Sequence, residues 1–179
     1  STGAFHTNPA ASEYFGLNKG FRDFRYIGES DITMRFSLLA NLKKMIKRKE
    51  RWAYWEKYYE KILEWIDGIK KPYFLWILLT DTHIPYIPPK QFRKWGSRNL
   101  LYLLYLNWKV SKVNWSYVRN KPGILGESER RKLISAYDSA ILYVNHFIQR
   151  LWHDVKHTDP ILIVHADHGE GFGEHGFYW

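Results

Sequence analysis

At 179 residues the chain is about one domain long, and its 18% aromatic content supplies large side chains for a core. With no cysteine it has no disulfide, no thiolate metal site and no thiol nucleophile. The net charge of +9 suits anionic partners, but Lys43, Lys44, Lys47, Arg48, Lys49 and Arg51 crowd one segment, so the total describes a local stripe. No apolar run nears the roughly eighteen residues of a membrane span and no signal peptide is visible, so the expectation is a cytoplasmic protein without a membrane span.

Ser1-Thr2-Gly3-Ala4-Phe5 reads as the tail of a strand, broken by His6-Thr7-Asn8-Pro9 because the residue before proline is pushed away from helix. A Gly- and aromatic-rich loop runs from Tyr14 to Phe24, with Phe15, Leu17, Phe21 and Phe24 expected to pin it to the core. Asp31 to Asp67 contains no Gly or Pro, and its apolar residues recur at spacings of three and four, as in one long helix or two shorter ones. Gly68 and Lys70-Lys71-Pro72 stop it. The basic stripe within it reads as a solvated helix face or as a contact surface for an anionic partner.

Tyr73–Leu79 is an apolar run that predicts a central strand, ending in Thr80-Asp81-Thr82-His83-Ile84-Pro85-Tyr86-Ile87-Pro88-Pro89. Three prolines in five residues cannot continue a strand, so His83 lies in a loop just past its C-terminal end. Gln91 to Lys121 shows no clear period and reads as a helical or irregular insertion. Ser128 to Val155 is the clearest helix, with Leu133, Tyr137, Ala140, Ile141, Val144, Phe147, Ile148 and Leu151 along one face. Pro160 then leads into Ile161-Leu162-Ile163-Val164, the pattern of a short strand buried on both faces of a parallel sheet.

After that strand Asp167, His168, Glu170, Glu174 and His175 follow within nine residues, with glycines between them. Carboxylates and imidazoles released together at a strand's C-terminal end suit a divalent metal or a phosphate-like anion. The plainer alternative is a solvated polar loop. Strand, long connection ending in a helix, strand is a right-handed βαβ unit. Its loops, one with His83 and one with Asp167, His168 and His175, are expected on the same edge of the sheet, where open α/β sheets bind ligands.

Asp167-His168-Gly169-Glu170 with Gly173-Glu174-His175-Gly176 resembles the C-terminal metal-binding motif of sulfatases, in the alkaline phosphatase superfamily. Asp81-Thr82-His83-Ile84-Pro85-Tyr86, the helix from Ala136 to Leu151 and Gly20-Phe21-Arg22-Asp23-Phe24 resemble other segments of that family, in the same order. The resemblance spans nearly the whole chain; residues 31–70 and 91–125 match only loosely and are read as helical or irregular insertions. It implies an α/β fold, alkaline phosphatase-like, with a largely parallel sheet flanked by helices. It also implies ester chemistry at a divalent cation: Ca²⁺ or Mg²⁺ as in sulfatases, Mn²⁺ or Zn²⁺ as in phosphate-handling relatives. Asp167 and His168 become the implied metal ligands. His83 becomes a hydrogen-bond or proton donor to the ester, and His175 a substrate contact or further ligand.

Sulfatases carry two further metal-binding acids and a nucleophile in a Cys/Ser-x-Pro-x-Arg motif, and neither that motif nor a cysteine occurs here. The resemblance thus implies the later part of a sulfatase-like catalytic domain, incomplete at both ends and not competent by itself. The partner expected is a sulfate or phosphate ester, with self-association through an exposed sheet edge and no nucleic acid. Two alternatives stand beside the sulfatase reading. One is a phosphodiesterase, phosphonate hydrolase or phosphotransferase of the same superfamily, favoured by an imidazole at His168. The other is a non-catalytic binding protein using the stripe at 43–51.

Overall fold

The computed structural model describes residues 1–8, 10–27, 54–115, 125–174 and 178. It divides into two units, Ser1–Thr80 and Asp81–Trp179. The basic stripe at 43–51, and with it most of the long helix expected over 31–67, lies outside the described residues.

The first unit is built on a parallel sheet of β1 (Thr2–His6), β2 (Asp23–Tyr26) and β3 (Phe74–Leu78), in the order β2-β1-β3. Helix α1 (Tyr59–Gly68) precedes β3 and buries Tyr59, Ile62, Trp65 and Ile66, one face at helical spacing. Its Trp65 ring lies on the β1 backbone, so that a Cβ at Gly3 would stand 2.4 Å from the ring. The Trp65 indole N–H donates to Asp23 Oδ2 at 3.0 Å, fastening α1 to β2 as well. Paired on both sides, β1 is the interior strand: Ala4 and Phe5 are fully buried and His6 nearly so.

Three expectations change here. Strand β2 begins inside the loop expected from Tyr14 to Phe24; its four residues alternate polar and aromatic too briefly to signal a strand, and pairing with β1 supplies its register. Phe21 and Phe24 do stack inward, but Phe15 and Leu17 stay largely exposed and pin nothing. Strand β3, expected to be central, pairs with β1 alone among the described residues and buries none of its five side chains fully.

The second unit packs α2 (Leu100–Trp115) against α3 (Glu127–Val155). At 29 residues and about 1.5 Å per residue, α3 is about 44 Å long. Its start is fixed by Glu129, whose carboxylate accepts the Gly126 N–H at 3.0 Å and the Lys109 ammonium of α2 at 2.7 Å. The core joins Leu103, Leu106 and Val110 of α2 with Leu133 and Ala136 of α3, and adds Tyr86, Leu125, Phe172 and Tyr178. The insertion over 91–125 is therefore no surface appendage, because its helix supplies much of this core. On α3 the buried stripe is shifted slightly from the expected one. Ile141 is exposed, while Tyr143 and Ser139 are buried, the Ser139 hydroxyl donating to the Ser135 carbonyl at 2.8 Å.

The final strand is a correction. Ile161–Val164 makes no sheet pairing among the described residues and is solvent-facing, with Ile161 93% and Ile163 77% exposed. An aliphatic run records a demand for burial without naming the strand that meets it. The chain leaves α3 through Asp159 in the left-handed region, φ 53°, and among the described residues no neighbouring strand receives residues 161–164. The βαβ unit expected to close on this strand is accordingly not formed among the described residues.

Candidate functional site

The loop after β3 is held at Tyr86. Asn107, on the buried face of α2, accepts the Tyr86 N–H at Oδ1 (2.7 Å) and donates from Nδ2 to the carbonyls of Leu103 (2.8 Å) and Tyr86 (3.4 Å). The Tyr86 ring meets Tyr137 edge-on at 5.3 Å and lies 6.0 Å from Phe172. Further along, the Arg93 Nε–H donates to the Pro88 carbonyl at 2.9 Å. His83 lies at the exposed end of this loop, and its Nδ1 is 2.7 Å from the Ile84 carbonyl. A carbonyl only accepts, so the proton of the neutral ring is on Nδ1.

The C-terminal loop is fastened at two glutamates and an aromatic pair. Tyr86 donates its hydroxyl hydrogen to Glu170 Oε2 at 2.8 Å. Burial, reinforced by Glu170, pushes the Tyr86 phenol far above its usual range, which keeps it a donor. Glu174 Oε2 accepts the Phe172 N–H at 2.6 Å, and Oε1 lies 3.8 Å from Arg130 of α3. Phe172 and Tyr178 bridge antiparallel and both enter the core; a Cβ at Gly173, φ 94°, would come within 3.0 Å of the Tyr178 ring. Glu170 and Glu174, two of the acids clustered after Asp167 in the sequence, are engaged in holding the loop.

Asp167 and His168 project from the stretch before that anchorage, with side chains 76% and 57% exposed. Asp167 Oδ1 accepts the His168 N–H at 3.1 Å. His168 Nδ1 donates to the Gly169 carbonyl at 2.7 Å, which leaves the lone pair of the neutral ring on Nε2. The Gly169 contact and then the Asp167 charge raise the His168 pKa above its ordinary value. Nε2 stands 3.8 Å from Asp167 Oδ2. Two ligands bonded at about 2.1 Å to one cation stand roughly 3.0–3.4 Å apart at octahedral or tetrahedral angles, so the two atoms would have to close by roughly 0.4–0.8 Å to share an ion. No group of three or more His, Asp or Glu side chains able to hold a metal occurs among the described residues. His175 lies outside them.

Tyr86 is the residue that sequence reasoning missed. It stood in the segment that flagged His83, but nothing in the sequence pairs it with a glutamate 84 positions away. Through that bond the two loops singled out from the sequence are joined within the second unit.

The parallel sheet of the first unit and the helices of both units define an α/β protein, and the family match places it in the alkaline phosphatase superfamily. The chain belongs to the sulfatase family, which it matches over residues 3–179. It is also similar to the Kdo(2)-lipid A phosphoethanolamine 7''-transferase of Salmonella typhimurium (strain LT2) and to that of Escherichia coli (strain K12). Each is 30% identical over 82 residues, covering 41% of this chain and 15% of the transferase. The chain thus corresponds to a small part of the length of the curated relatives it matches. No solved structure matches it. Among the described residues no helix is long and apolar enough to cross a membrane.

Proposed function

We propose that these residues form the metal-binding and leaving-group side of a divalent-cation-dependent hydrolase of sulfate esters. The observation that carries the reading is the Tyr86–Glu170 hydrogen bond, which ties the loop bearing His83 to the loop bearing Asp167 and His168. The family match over almost the whole chain supports the ester class. Asp167 and His168 would hold the cation through a carboxylate oxygen and Nε2. When bound, the cation supplies charge stabilisation to the ester oxygens. A carboxylate alone favours Ca²⁺ or Mg²⁺; the added imidazole nitrogen also admits Mn²⁺ or Zn²⁺.

His83, with Nδ1–H committed to Ile84, would donate from protonated Nε2 to the leaving-group oxygen as its bond to sulfur breaks. His175 is assigned a substrate contact or a further ligand. The 179 residues contain no Cys/Ser-x-Pro-x-Arg nucleophile motif, so turnover needs a nucleophile they do not provide, and the isolated chain is expected to be inactive. A second reading, transfer or hydrolysis at phosphate esters, is favoured by the phosphoethanolamine transferase relatives and by the imidazole at His168.

The test is turnover of an aryl sulfate and an aryl phosphate by the gene product that carries these residues, with Ca²⁺, Mg²⁺ or Mn²⁺ supplied. Sulfate turnover that falls at least about a hundredfold in Asp167→Asn and His83→Ala is expected, in line with the loss of a charge-stabilising or acid–base group. Phosphate turnover without sulfate turnover transfers the assignment to the second reading. Activity indifferent to both substitutions overturns both.

A further inference from the structure

The stretch Gly169-Glu170-Gly171 follows the Asp167–His168 pair directly and has two glycines, one of which faces open space where a Cβ would stand. Such a segment holds one conformation only if something outside it does the holding. Glu170 is where that happens, at a buried phenol three positions from Asp167. The phenol itself is enclosed: Tyr86 is 2% exposed, Asn107 bonds its backbone N–H and carbonyl, and Tyr137 and Phe172 pack its ring. A phenylalanine would fill the same space without the desolvation cost of a hydroxyl, so the hydroxyl's role lies in its bond to the carboxylate.

We propose that Tyr86 is a positioning residue for the cation-binding turn: through Glu170 it orients Asp167 and His168, and Asn107 of α2 sets Tyr86 in turn. The helix of the region least readable in sequence thereby becomes the base on which the turn is aimed. This inference rests on the reading of Asp167 and His168 as cation ligands, and the experiment separates the two.

Mn²⁺ is titrated into the ¹⁵N-labelled chain, and paramagnetic broadening of the His168 and Gly169 amides is followed alongside the melting temperature. Tyr86→Phe is expected to weaken the Mn²⁺ response at least about tenfold, the range for loss of a partner behind a metal ligand, and to leave the fold intact. Glu170→Ala should match it. Glu170→Gln keeps an acceptor for the phenol and should restore most of the response. The double variant Tyr86→Phe/Glu170→Ala should lose no more than either single one, as residues acting in series do. In metal-free Tyr86→Phe, the ¹⁵N order parameters of Gly169 and Gly171 should fall.

If Asp167→Asn binds Mn²⁺ like the wild type, or the wild type shows no selective broadening, the cation reading fails and the inference falls with it. If Asp167→Asn abolishes the response but Tyr86→Phe does not weaken it, the positioning role alone is overturned. Unchanged order parameters in Tyr86→Phe overturn it as well.

Discussion

Replacing Asn107 by leucine conserves volume on the buried face of α2 while removing every hydrogen bond the amide makes. The Tyr86 N–H, now 2.7 Å from Oδ1, would be stranded in the core, and the carbonyls of Tyr86 and Leu103 would lose the Nδ2 donor. A buried donor without a partner costs about 1–3 kcal/mol; carbonyls tolerate the loss better, and the leucine recovers part of the cost through burial. The net is about 2 kcal/mol. For a chain of this length each kcal/mol moves the melting temperature by roughly 2–4 °C, so Asn107→Leu should melt about 4–8 °C lower in scanning calorimetry. A melting temperature within about 1 °C of wild type, or above it, would refute the account of Asn107 as the group that satisfies the Tyr86 backbone.

Gly3→Ala should destabilise the first unit by about 1–3 kcal/mol in denaturant unfolding, because the new methyl meets a Trp65 ring already tied to Asp23. An unchanged midpoint would show that Trp65 yields freely. Burial lowers the His6 pKa, and its Nε2 has no partner among the described residues, so the unfolded chain takes up the proton first. The stability tied to neutral His6 is complete above the ordinary 6.5 and lost as pH falls through the lowered value; His6→Leu should flatten that slope, and a parallel slope would contradict it. Glu129 runs the acid-side analogue. Its carboxyl is held below the usual range first by the Lys109 bond, so its contribution is present above 4.5 and lost as pH falls further. The melting temperatures of wild type and Glu129→Gln should therefore converge below 4.5; a constant gap would reject the linkage.

What the sequence made legible depended on whether the signal was local. Helix α3 was read to within a residue because its apolar period is sustained over 29 residues, and β3 because an aliphatic run is bounded by proline. Helix α2 was obscured because its apolar residues point both ways: Leu103, Leu106 and Val110 go inward while Leu101 and Tyr105 face solvent. Strand β2 exists through its register with β1, and the Tyr86–Glu170 bond through a fold that joins distant segments; neither leaves a pattern within its own residues. Asp167, His168 and His83 stand out in the sequence by residue type and placement after apolar runs. That two of the neighbouring acids serve as anchors needed the structure.

The exposed Ile161–Val164 stretch sets the colloidal behaviour of the protein. Four consecutive aliphatics open to solvent, three of them β-branched, attract copies of the chain at short range, while a net charge of +9 keeps them apart at longer range. Added salt shortens the reach of the repulsion to about 8 Å at physiological strength and leaves the attraction untouched. Dilute buffer, and not the saline usual for a basic protein, is therefore expected to keep this chain dispersed.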